Sequence, residues 1–130
     1  MNIIGNGVDI IENSRIKKSI KKKDFLNRIF SKHEIDESKK IKNKVNFFAK
    51  RFAAKEAFAK SIGLGFRKNI NFKDISVKNN SLGKPEIFID KKVYFYIKKQ
   101  FKLKKFKIFL SLADESKHSI AYVIIDKIRK

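Results

Sequence analysis

Apolar positions along the chain fall into short patterns, and each pattern predicts an element. Residues 3–12 (IIGNGVDIIE) are rich in Ile and Val, contain two glycines, and read as a buried strand carrying one acid, Asp9. Residues 13–30 place Ile16, Ile20, Phe25 and Ile29 near helical spacing, which predicts a helix over that span. Ser31 followed by Glu34 has the spacing of a capping box, so a further helix is expected from residue 32. The polar run from Asp36 to Lys44 reads as a solvated helical turn or a loop. The clearest helix covers residues 45–62, with Phe48, Phe52, Ala59 and Ile62 on one side and Gly63 as its C-terminal cap.

Short strands are expected at 73–78 and 86–90, on either side of the turn-rich stretch from Asn79 to Pro85. Residues 91–102 suit either a strand or a helix, and the spacing of Val93, Tyr96, Ile97 and Phe101 favours the helix. Two last strands, 107–113 and 119–126, are joined by the polar segment from Asp114 to Lys117. No repeat or linker interrupts this order, so residues 1–130 are read as a single domain. The expected class is α+β, a mostly antiparallel sheet packed against a long helix.

Composition adds a charge problem to this picture. Lys and Arg number 33 against 13 Asp and Glu, a formal net charge of +20, and 28 of the cations are Lys. A field of that sign attracts polyanions, whether nucleic acid, an anionic membrane or an acidic protein. The accompanying abundance of Ile, Asn and Phe is equally what an A+T-rich coding bias produces, so the charge identifies no partner by itself. The absence of cysteine excludes disulfides, thiolate metal sites and cysteine nucleophiles. No window approaches the roughly 18 apolar residues of a membrane span. The N-terminal residues lack the pattern of a signal peptide, and a cytoplasmic location is expected.

Candidate chemistry centres on two acids. Asp9 interrupts an apolar strand, and Glu56 sits in the strongest helix among Ala53, Ala54, Ala57 and Phe58. A hard divalent cation is one way to hold two such carboxylates, since magnesium takes one or two protein acids together with water and phosphate oxygens. A lysine or arginine partner for Asp9, and an i, i+4 pair between Glu56 and Lys60, would account for the same residues without any metal. Lys55 and Lys60 are either solvated helix flanks or ammonium groups placed to neutralise a pyrophosphate. Gly63 and Gly65 either end the helix or let backbone approach a ligand. His33 and His118 read as ordinary polar residues.

Four blocks in order resemble the bacterial holo-acyl-carrier-protein synthases. They are GVDIIENSR at 7–15, FAAKEAFAKSIGLG at 52–65, NSLGKP at 80–85, and SLAD at 111–114 followed by AYVI at 121–124. The resemblance spans essentially the whole chain. It implies a 4'-phosphopantetheinyl transferase-like fold and transfer of 4'-phosphopantetheine from coenzyme A to a serine of apo-acyl carrier protein, in fatty acid biosynthesis. It further implies that Asp9 and Glu56 bind Mg2+ with the pyrophosphate of coenzyme A, with Glu56 and Lys60 as catalytic residues. Lys55, Lys60, Gly63, Gly65, Lys84 and Pro85 would bind coenzyme A, the Gly83–Pro85 turn lying near its adenosine end. Arg15, Lys18 and Lys22 would dock the acidic carrier protein, and the chain would form a homotrimer with sites between neighbouring subunits. Many members have Ser-His where this chain has Ala113-Asp114, so no histidine role carries over there. Two rival classes are a nucleic-acid-binding module using the positive charge and the 13 Phe residues, and a magnesium-dependent phosphohydrolase. Scarce Arg and core-like aromatic positions weigh against the first, and neither nucleic acid nor a membrane is expected as a partner.

Overall fold

The computed structural model describes residues 2–63 and 70–128. Strand β1 (Ile3–Glu12) leads directly into α1 (Asn13–Ser19), followed by α2 (Lys23–Ile29), α3 (Lys32–Ser38) and the long α4 (Lys44–Ile62). A one-turn 3-10 helix (Phe72–Asp74) precedes β2 (Ile75–Asn79) and β3 (Pro85–Ile89), then α5 (Lys91–Phe101), β4 (Lys105–Asp114) and β5 (His118–Ile128). One sheet has the order β1-β5-β4 and the other is the β2-β3 hairpin. All pairings are antiparallel. The α+β class read from the sequence is the observed one.

Helix α4 packs on the three-stranded sheet, and strand alternation explains how. Gly7 and Ile11 of β1 are buried, as are Ser119, Ala121, Val123 and Ile125 of β5 and Leu110 of β4. The opposite face carries Val8, Ile10, Phe109, Ile120 and Tyr122, all exposed. A Cβ on Gly5 would collide with the carbonyl oxygen of Ser61, and one on Gly7 with that of Ala57. The helix backbone therefore lies directly against the strand backbone, which only glycine at these two positions permits.

Nearly the whole circumference of α4 is buried, from Phe47, Phe48 and Ala49 to Ala59, Ser61 and Ile62. A one-sided apolar stripe is thus too narrow a description of it. Its other side meets α3 and β2 through a buried ion pair. Lys55 Nζ lies 2.8 Å from Glu34 Oε1, with both side chains 0% exposed. The same ammonium donates to the carbonyls of Phe72 (3.2 Å) and Ile75, so all three of its protons have acceptors. Both oxygens of Glu34 are engaged as well. Oε1 also accepts from the Ser31 amide at 2.9 Å, completing the capping box of α3, and Oε2 accepts from the Val77 amide at 2.8 Å.

Residues 13–30 do not form one helix. Chain segment 20–22 turns, with the Lys22 amide donating to Ser19 O at 3.1 Å, and α2 begins afterwards. At about 100° per residue, a continuous helix would place Ile16 and Phe25 on opposite sides. The break lets Ile16 and Ile29 both be buried, with Phe25 half-buried beside them. Segment 91–102 is helical as the spacing favours, with Asp90 Oδ1 capping the Val93 amide at 3.1 Å and Val93 and Ile97 buried.

Candidate functional site

The glycine row of β1 decides where Asp9 lies. Gly5, Gly7 and Asp9 alternate onto the face that meets α4, so the first side chain after the glycine contact is a carboxylate. Asp9 is 16% exposed at its side chain, and its Oδ1 lies 3.0 Å from Lys60 Nζ. Lys60 also donates to Val8 O at 3.1 Å. Glu56, one helical turn before Lys60, is half-buried. Burial, and after it the negative charge of Asp9, push the Glu56 carboxyl above its ordinary range, while Lys60 pulls it back only in part. Asp9, Glu56 and Lys60 therefore form one cluster, in which two acids repel each other and share one cation.

That donor set fits a hard divalent ion. Two carboxylates from different elements are what magnesium takes from a protein when phosphate oxygens and water complete its shell. Among the described residues no group of three or more His, Cys, Asp or Glu is placed to hold a metal. The two acids would thus share their ion with a substrate, and would not cage it alone.

Other expected site residues lie elsewhere. Gly63 caps α4 in the left-handed conformation (φ 66°), three residues past Lys60. Gly65 lies outside the described residues. Lys84 lies in the β2-β3 turn and Pro85 opens β3; in that turn Asn80 Oδ1 accepts from the amides of Leu82 (2.9 Å) and Lys84 (3.0 Å), and Gly83 takes a positive φ of 85°. Arg15 and Lys18 are exposed on α1 and Lys22 on the turn after it. Lys55 requires a correction. It cannot bind coenzyme A, because its ammonium is fully buried and spent on Glu34 and two carbonyls. Burial pushes its pKa down, and Glu34 opposes that shift.

A second feature has no clear sequence signature. An open cleft runs between the first half of α4 and β2, lined by His33, Lys50, Arg51, Lys78, Asn79 and Asp114 among others. Arg51 is 6% exposed, its guanidinium carbon 3.8 Å above the Phe47 ring, and its Nε is buried with no hydrogen-bond partner among the described residues. In a chain whose cations are mostly Lys, this Arg inside an apolar helix was the one available signal. The β2-β3 turn leaves the cleft wall at Asn79. From residues 47–51 to Glu56 and Lys60 the helix advances about 13 Å and turns to another side. One chain therefore separates the cleft from the acid cluster.

The family profile described as the 4'-phosphopantetheinyl transferase superfamily matches residues 5–123. The chain is 56% identical over 127 residues to the holo-[acyl-carrier-protein] synthase of Pelagibacter ubique, covering 98% of this chain and 99% of that protein. It is similar to the crystal structure of holo-[acyl-carrier-protein] synthase from Neisseria meningitidis, with a TM-score of 0.86 and 36% identity over 96% of this chain and 99% of that one. It is likewise similar to the Bacillus anthracis synthase solved in complex with CoA (3',5'-ADP), with a TM-score of 0.81 and 32% identity, covering 98% of this chain and 100% of that one.

The charge coupling in the cluster has a measurable sign. Asp9 raises the Glu56 pKa and Lys60 lowers it. In a carboxyl NMR titration of the metal-free protein, Asp9→Asn should move the Glu56 midpoint to lower pH and Lys60→Met should move it higher. A midpoint unmoved by both substitutions would separate these three residues.

Proposed function

Since the chain belongs to the 4'-phosphopantetheinyl transferase superfamily, we infer that it performs the reaction for which its relatives are named. It is an enzyme that transfers 4'-phosphopantetheine from coenzyme A to a serine of apo-acyl carrier protein. The carrying observation is the meeting of Asp9, Glu56 and Lys60 at the glycine contact of β1 and α4. In the reaction the serine oxygen forms a bond to the β-phosphorus of coenzyme A, the bond to the bridging oxygen breaks, and 3',5'-ADP leaves. Such transfers rest on positioning and on neutralising oxygen charge.

Each side chain has a part in that scheme. Lys60 offers its exposed ammonium to the pyrophosphate. Glu56, at the meeting of α4 and β1, is assigned the proton of the attacking serine. Asp9 and Glu56 would hold the magnesium ion, which when bound supplies Lewis-acid neutralisation of the pyrophosphate oxygens. The adenosine 3'-phosphate end is assigned to the cleft, on the strength of Lys50, Arg51 and Lys78 and of the unpartnered Arg51 Nε. Gly63 and the Gly83–Pro85 turn border these two regions.

Because one chain separates cleft from acids, a complete site calls for a neighbouring copy. The exposed apolar row of Val8, Ile10, Phe109, Ile120 and Tyr122 is the surface on which copies would meet, and a homotrimer is proposed. Arg15, Lys18 and Lys22 leave from the end of the strand that carries Asp9, which suits them to receive an acidic carrier helix beside the reacting groups.

Intact mass of an apo carrier protein, incubated with this protein, coenzyme A and magnesium, tests the reaction directly. One phosphopantetheine arm should be gained and EDTA should prevent it. Glu56→Gln should reduce turnover by about 10²-fold or more, as removal of a general base does; a Gln variant of ordinary activity would end the assignment. The KM for carrier protein should rise steeply with salt, and less steeply in Arg15→Ala, because exposed charges are screened. A KM indifferent to salt would remove the docking role. In sedimentation velocity the protein should run as a trimer and Tyr122→Glu as a smaller, inactive species, whereas an active wild-type monomer would overturn the assembly.

A further inference from the structure

Two carboxylates line the cationic cleft, Glu37 at its α3 side and Asp114 on the sheet. Asp114, at the end of β4, directs Oδ1 to Lys50 Nζ at 3.4 Å and accepts from Asn46 Nδ2 at Oδ2 at 2.8 Å. Asn46 and Lys50 are one turn apart on α4, so a single carboxylate draws two cleft-lining side chains toward the sheet. Asn46 is fixed further by donating to Glu115 O at 3.1 Å. Neither member of the ion pair is buried, with side-chain exposures of 27% for Lys50 and 31% for Asp114, so an incoming ligand reaches both. The other charged or titratable groups of the cleft are Arg51 and Lys78, with His33 and Glu37 at its α3 side.

We propose that Asp114 is a specificity-determining positioning residue that weakens the enzyme's preference for the 3'-phosphate of coenzyme A, by holding Lys50 back and keeping a negative charge on the cleft wall. This rests on the assignment of the nucleotide end to the cleft. A phosphate monoester entering there must take Lys50 from its present partner while it approaches a like charge. A ligand without the 3'-phosphate meets neither cost. Asparagine at position 114 would still accept from Asn46, would lose the charge, and would free Lys50.

Binding of coenzyme A and of 3'-dephospho-coenzyme A, measured by calorimetry on wild type, Asp114→Asn and Lys50→Met, tests this. Asp114→Asn should tighten coenzyme A by about three- to tenfold, the scale of removing one charge in a partly screened site, and leave the dephospho ligand within about twofold. Lys50→Met should weaken coenzyme A selectively and cancel the gain in the double variant. If Asp114→Asn shifts both ligands alike, or weakens coenzyme A, the role of Asp114 is overturned. Selective weakening by Lys50→Met with no gain from Asp114→Asn would also overturn it while leaving the cleft assignment standing. Equal binding of the two ligands to all the proteins would remove the cleft assignment itself and the inference with it.

Discussion

Helix α4 can lie directly on β1 because Gly5 and Gly7 offer it no side chain, and Ala57 and Ser61 meet them with almost none of their own. This contact sets the distance between two elements that each carry one carboxylate of the cluster. Side chains on one face of a strand recur every second residue, so Asp9 is the next group in the row after Gly7. It emerges beside the helix where Glu56 and Lys60 project. A larger residue at position 7 would part helix from strand and so part the acids as well.

The other side of α4 is held by polar groups. Glu34 joins the start of α3, the middle of α4 and the backbone of β2 through three hydrogen bonds, and Lys55 returns three of its own. Burying such charges is tolerable only because both oxygens of Glu34 and all three protons of Lys55 have partners, and removing one member of a pair of this kind typically costs about 3–5 kcal/mol. With glycine on one side and a saturated ion pair on the other, α4 has little freedom to slide or rotate. Glu56 follows Lys55 in the chain, so the same lock that buries Lys55 fixes where Glu56 points.

Elements are legible from sequence wherever their signals are local in cause. The Ser31–Glu34 capping box, the Gly63 cap and the spacing of Val93, Tyr96 and Ile97 each depend on residues within one or two turns, and each element is present. Residues 13–30 mislead because neighbouring apolar positions pair at near-helical spacing, while Ile16 and Phe25 would lie on opposite sides of one continuous helix. Lys55 misled for a different reason. Its role is set by Glu34, Phe72 and Ile75, which lie 21, 17 and 20 residues away, and no spacing rule links them. Asp9 and Glu56 stood out as acids in apolar settings, yet their convergence depends on the glycine contact. The cleft was hidden because it joins α3, α4, β2 and β4, and its cations are unremarkable in a Lys-rich chain.

The electrostatics of the acid cluster carry a consequence for how ligands enter. A net charge of +20 gathers anions at the surface, but Asp9 and Glu56 would repel a pyrophosphate arriving alone. Lys60 offsets that only in part, since the charge of Asp9 raises the Glu56 pKa more than Lys60 lowers it. Two carboxylates by themselves are also a weak site for magnesium, which prefers to keep phosphate and water among its ligands. On the proposed reading each ligand thus relieves what opposes the other: the cation removes the repulsion felt by the phosphates, and the phosphates complete the shell of the cation. On that reading the two would bind cooperatively, through charge and through shared coordination, because a glycine row brings the second carboxylate near the first.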